Sequence, residues 1–165
     1  MQKYVIAALV AASGCGYQIG DSCIVSSDCQ ADGTRVCDLT QREGYCTIIG
    51  CDYDTCPDNS ECVAFFSGGG WANKPCDPTT EDKPSGGTND CSVDELCSLE
   101  NQCVPRSSET RYCMKTCDSD ADCRDHYECR DINLMIEHGG EPVLNPTDEN
   151  STIQNAAHFC AMAID

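Results

Sequence analysis

The chain has 165 residues, 17 of them cysteine, and sets 28 acidic against 10 basic side chains for a formal net charge of −18. So acidic a surface repels polyanions, which excludes nucleic acid as a partner. A cysteine at about one position in ten marks a disulfide scaffold made in an oxidising compartment, with crosslinks substituting for a large apolar core.

Met1-Gln2-Lys3 is a short basic start, and Tyr4 to Ala12 is an apolar run followed by small residues, the pattern of a secretory signal. The run is too short to cross a membrane, which takes about 20 apolar residues. Cleavage after Gly14 suits two routes. A signal peptidase would accept Ala12 and Gly14 as its flanking small residues and leave an unpaired thiol. Ala12-Ser13-Gly14-Cys15 also resembles the box of bacterial lipoproteins, with Ala where Leu is commoner. That resemblance implies lipid on the Cys15 sulfur and, after cleavage, on its amine. Parity favours the lipid route, because sixteen cysteines remain once Cys15 is set aside. Gly16 stands where the family's inner-membrane retention signal has Asp, so the resemblance implies an outer-membrane anchor, held by two or more acyl chains. Residues 1–14 are therefore read as the signal peptide and residues 15–22 as a lipidated tether. Loss of Lys3 leaves nine basic against 28 acidic side chains. Leu, Ile, Val and Phe supply only 22 of the remaining 151 residues, a content that suggests disorder unless crosslinks intervene.

The other cysteines fall at 23, 29, 37, 46, 51, 56, 62 and 76, and then at 91, 97, 103, 113, 117, 123, 129 and 160. Each set opens with a five-residue gap and reaches a Tyr-Cys pair, Tyr45-Cys46 or Tyr112-Cys113. The next stretches match best, YCTIIGCDYDTCPDNSEC against YCMKTCDSDADCRDHYEC, and internal duplication is the simplest explanation. The expected architecture is a small disulfide-rich fold of two tandem eight-cysteine modules, residues 23–76 and 91–165, built of short strands and turns with little helix outside the signal peptide. Residues 77–90 carry two prolines, two glycines and no large apolar side chain, and read as a linker. One helical turn is expected near Val93 to Leu99. Residues 131–159 read as a long insertion with a strand at about 132–136, punctuated by turns at Gly139-Gly140 and Asn145-Pro146. Pairing is expected within each half, first to third and second to fourth of the matched blocks: Cys46–Cys56 with Cys51–Cys62, and Cys113–Cys123 with Cys117–Cys129.

The run Cys113-x3-Cys-Asp-Ser-Asp-Ala-Asp-Cys-Arg-x2-Tyr-x-Cys129 resembles cysteine-rich repeats in lipoproteins of myxobacteria and their relatives. That family combines signal, lipid box and repeats without assigned chemistry. The same cadence is similar to EGF-like modules and to the N-terminal cysteine-rich domain of Dickkopf proteins, through spacing alone.

Asp118, Asp120 and Asp122 have the D-x-D-x-D start of a calcium loop, but Cys123 and Cys129 occupy the positions where an EF-hand needs Gly and a bidentate Glu. The cluster, with Glu128, is therefore either a looser calcium site or a solvated acidic turn between bridges. Asp52 and Asp54 form its weaker counterpart. No Cys-x2-Cys pair is present, and His126, His138 and His158 are scattered singly, so zinc and thiol redox chemistry lack their usual spacing. There is no Gly-x-Ser-x-Gly, and Ser67-Gly68-Gly69-Gly70-Trp71 lacks the Lys-Ser/Thr of a phosphate loop. Trp71, the single tryptophan, belongs either to a recognition loop or over a disulfide.

The expectation is thus a non-enzymatic lipoprotein of the outer membrane, without an assigned cofactor, displaying its modules to a protein or glycan of the envelope. A structural coat without a specific partner and a protease-inhibitor-like domain are the alternatives. Intact mass before and after reduction and alkylation tests the anchor. A diacyl or triacyl Cys15, no free thiol, and sixteen alkylated cysteines after reduction are expected. A free, unlipidated Cys15 would remove the anchor.

Overall fold

A computed structural model describes residues 17–68, 74–81, 87–148 and 150–164. The signal peptide, Cys15 and Trp71 lie outside these residues. The elements are short: helix α1 (Ser26–Cys29) and strands β1 (Val36–Asp38), β2 (Tyr45–Thr47) and β3 (Ser60–Phe66). There follow β4 (Glu95–Cys97), β5 (Cys103–Pro105), β6 (Glu109–Lys115) and β7 (Tyr127–Arg130). Helix α2 (Ile132–His138), β8 (Glu141–Pro142) and β9 (Phe159–Met162) complete the chain. The fold is small, strand-and-turn-rich and crosslinked by eight disulfides.

The bridges sort into four quartets with one rule, first to third and second to fourth. Quartet one joins Cys23–Cys37 and Cys29–Cys46, and quartet two Cys51–Cys62 and Cys56–Cys113. Quartet three joins Cys76–Cys97 and Cys91–Cys103, and quartet four Cys117–Cys129 and Cys123–Cys160. In every quartet the third and fourth cysteines face each other across antiparallel strands: Cys37 and Cys46 in β1–β2, Cys62 and Cys113 in β3–β6, Cys97 and Cys103 in β4–β5, Cys129 and Cys160 in β7–β9. Each of the pair bonds back to the preceding segment, which is thereby pinned across the strands. Two-stranded ribbons are marginal alone. Two bridges apiece supply what their side chains cannot.

The expected pairs Cys46–Cys56 and Cys113–Cys123 are replaced, since Cys46 bonds Cys29, Cys56 bonds Cys113, and Cys123 bonds Cys160. Both Tyr-Cys pairs close a quartet; neither opens one. Pairing is also not confined to halves. Quartet three lies wholly between Cys62 and Cys113 of quartet two, so Cys56–Cys113 and Cys76–Cys97 both cross the expected boundary. Residues 77–90 fall inside quartet three, whose first two cysteines flank this loop-like stretch of sequence. Within the loop, Glu81 accepts hydrogen bonds from the backbone amides of Asp90 and Cys91.

Two local expectations also change. The helical turn expected at Val93 to Leu99 is the strand β4, where Leu96 opposes Val104 and the turn passes through Asn101 at positive φ. The strand expected at 132–136 is the helix α2. Asp131 caps it, accepting from the amides of Asn133 and Leu134, and Gly139 ends it at positive φ. Stop and start signals outweighed the β-branched content.

The central sheet runs β6-β3-β8, with β3 and β6 paired over seven residues. The main core lies against it, with Tyr45, Val63, Met114, Met135 and Phe159 buried around the Cys51, Cys62 and Cys113 sulfurs. Three smaller clusters consist of cysteines alone, one for each other quartet. Quartets one and four dock on β6. The amide of Cys113 donates to Ile48 O, Thr47 Oγ1 donates to Cys113 O at 2.8 Å, and the amide of Cys117 donates to His158 O.

Paired serines at Cys56 and Cys113 are expected to cost about 2–5 kcal/mol of stability, because this bridge, spanning 57 residues, encloses the longest loop. Proteolysis of the unreduced protein should release a Cys56–Cys113 peptide, and recovery of Cys46–Cys56 or Cys113–Cys123 instead would overturn the quartet arrangement.

Candidate functional site

The acidic turn of residues 118–122 is built for backbone capping. Asp122 Oδ2 accepts from the amides of Asp118 and Ser119, which hold its carboxyl below the usual range. Asp28 does the same for Ile24 and Val25 at the equivalent place in quartet one, the residue before the second cysteine. Thr55 Oγ1 takes the Asp52 amide in quartet two. Asp120 Oδ1 accepts from the amide of Cys129. Glu128 Oε1 instead holds Arg130 Nε at 2.9 Å and His138 Nδ1 at 2.6 Å. The structure therefore does not gather Asp118, Asp120, Asp122 and Glu128 into one ligand set. Asp52 pairs with Arg111 at 2.8 Å, away from Asp54. Among the described residues, the groups of three or more metal-capable side chains are all cysteines. Those sulfurs are spent in disulfides and offer no thiolate.

Quartets one and four are locked by an aromatic clamp. Tyr45 and Tyr127 stack with centroids 5.5 Å apart, and the Arg124 guanidinium lies 4.1 Å from the Tyr127 centroid. Arg124 Nη2 donates to the carbonyls of Arg42 and Gly44 and to the Tyr127 hydroxyl. Its Nε and Nη1 are buried without an oxygen partner, so the ring faces provide their stabilisation. Tyr45 Oη accepts from the Lys115 amide, and burial pushes its hydroxyl pKa well up. This clamp is structural glue.

The site with binding character lies on the other side of β3. A cavity of about 360 Å³ is walled by Phe65, Phe66, Val104 and Met135, with Ser98, Glu100, His138 and Glu141 supplying its polar edge. Sequence reasoning weighed only His138 of these as a ligand, with Glu141 inside the long insertion and Phe65 and Phe66 in an apolar run. Three elements deliver the polar groups. Gly140, at φ +89°, lets the chain pass against the aromatic rings, since a Cβ there would lie 2.7 Å from Phe159 and 2.9 Å from Phe65. The next residue, Glu141, pairs with Ala64 of β3 and reaches across to accept the Leu99 amide on Oε1 at 2.6 Å. Helix α2 is held in place by Arg130, which is 4% exposed and donates to the carbonyls of His138, Gly139 and Met162.

Glu141 is a half-buried acid without an ion-pair partner among the described residues. Burial pushes its carboxyl up to about 7 from 4.5, helped by the nearby Glu100 and Glu109 charges and opposed by the Leu99 hydrogen bond. Ser98 is 4% exposed, and its Oγ has no hydrogen-bond partner. A buried hydroxyl without a partner is unusual enough to demand an explanation. His138 contributes less, because its Nδ1 is already engaged by Glu128.

Since folded Glu141 keeps its proton to higher pH than the unfolded chain, its contribution favours the native state below about 4.5 and is lost as pH rises through about 7. Glu141→Gln should therefore gain on the wild type by roughly 1–3 kcal/mol between pH 4.5 and pH 8. Denaturant melts of both proteins across that window measure it. A difference independent of pH would show that Glu141 is not held protonated.

No helix among the described residues is long and apolar enough to cross a membrane. Comparison with protein-family models, with curated proteins and with solved structures gives no match, so the site is read from its own residues.

Proposed function

We propose that this chain is a lipid-anchored, non-catalytic recognition protein of the cell envelope, held at the outer membrane through Cys15. One observation carries the recognition reading: a cavity on β3 combines apolar side chains with polar ones, among them a buried Ser98 hydroxyl without a hydrogen-bond partner. Sites of this kind bind ligands through apolar walls and a few placed polar groups. The arrangement suits holding a ligand, because the cavity's histidine is already tied to Glu128 and Arg130 through one carboxylate. The anchor rests on the lipobox-like Ala12-Ser13-Gly14-Cys15. Only about seven residues separate Cys15 from Cys23, a reach near 25 Å at most, so quartet one sits close to the membrane surface.

The test is capture. Oxidised Cys15→Ser protein on a support is incubated with outer-membrane protein and glycan fractions from the cell of origin. Saturable binding that is lost on reduction of the disulfides is expected. Absence of binding, with envelope fragility as the sole consequence of gene deletion, would return the function to a crosslinked coat.

A further inference from the structure

At the cavity edge the carboxylates of Glu141 and Glu100 accept hydrogen bonds, and the Ser98 hydroxyl can accept as well as donate. Glu141 Oε1 is taken by the Leu99 amide, while Oε2 has no partner among the described residues. Ser98 Oγ, almost wholly buried, is unpartnered. Glu100 adds a second carboxylate, and among the described residues no lysine or arginine lines the cavity. A carboxylate partly withdrawn from water and lacking an ion-pair partner is costly, and a cation with hydrogen-bond donors is its natural counterpart. An ammonium group has three donors and no acceptor, which matches this edge, whereas a carboxylate ligand would meet repulsion. The apolar wall asks for an organic body of aromatic or branched aliphatic kind, and aromatic rings also attract an ammonium approaching their faces. The net charge of −18 concentrates cations at the protein surface.

Resting on the recognition reading above, we propose that the cavity binds a small organic ammonium ligand, its head at Glu141, Glu100 and Ser98 and its apolar body against Phe65, Phe66, Val104 and Met135. Among the other hollows, a wider one of about 520 Å³ lined by Lys115, Asp118 and His158 mixes charges of both signs and has no buried unpartnered group. The Arg124 clamp has its unpaired nitrogens against rings, so it selects no ligand.

Three isosteric probes decide the matter: 2-phenylethylamine, 2-phenylethanol and phenylacetate. They are titrated at pH 8, where Glu141 is ionised, into oxidised mature protein, with NMR shifts of residues around Ala64, Ser98 and Met135 as the readout. Phenylethylamine should bind at least about tenfold tighter than phenylethanol, and phenylacetate should not bind. Glu141→Gln should remove that preference while keeping weak binding of phenylethanol, and Ser98→Ala should weaken the amine about threefold. Equal affinity for amine and alcohol, an unchanged preference in Glu141→Gln, or no saturable shift with the amine would each overturn the proposal. If Glu141→Gln fails to form its eight bridges, the amine-to-alcohol ratio of the wild type decides alone. Envelope capture is scored in a separate assay, so failure of the ammonium ligand and failure of recognition are told apart.

Discussion

Everything in this fold depends on a cysteine pair that sits face to face across two strands without bonding to itself. In each quartet those cysteines reach back to the first and second of the set, so a preceding segment is sewn across the ribbon by two stitches. The geometry repeats in a ribbon of three residues a strand and in one of seven. It substitutes covalent constraint for apolar area, which suits a chain with so few large aliphatic side chains. Quartet two encloses quartet three and also differs in where it sits. Its sulfurs join Val63, Met114 and Phe159 in the main core, so the crosslink and the core occupy one place.

The quartets then act as mounting points. Quartet three is an excursion from the loop between β3 and β6, and it contributes Ser98 and the Leu99 amide to the cavity edge. The long segment between Cys129 and Cys160 of quartet four contributes α2 and Glu141. The cavity is thus assembled from segments that approach from different quartets and meet on β3.

The alternation of pairing was legible in the sequence, and its register was not. Tyr45-Cys46 and Tyr112-Cys113 look alike because both end a quartet, and the matched stretches after them are the starts of the next. Reading them as openings misassigns Cys46 and Cys113 while leaving Cys51–Cys62 and Cys117–Cys129 as they are found. The nesting of quartet three was hidden because residues 77–90 have a linker's composition while lying between two cysteines of one bridged set. Helix α2 was legible in principle from Asp131 and Gly139, but β-branched content and neighbouring turns masked it. The cavity left no local signature at all. Ser98, Glu141 and Phe65 are far apart in the chain, and only the strand pairing of β3 with β8 and the Leu99 hydrogen bond bring them together.

Nesting also imposes a timetable on biogenesis. A chain threaded across a membrane from its N-terminus can finish quartet one as soon as Cys46 emerges, because its bridges span only 14 and 17 residues. Cys56 must wait until Cys113 arrives, 57 residues later. Throughout that interval it is a reactive thiol beside freshly exported cysteines, among them all four of quartet three. Oxidation in order of emergence would trap it with a wrong neighbour. In a chain oxidised as it emerges, thiol exchange would be needed before Cys56–Cys113 could close and fasten β3 to the core.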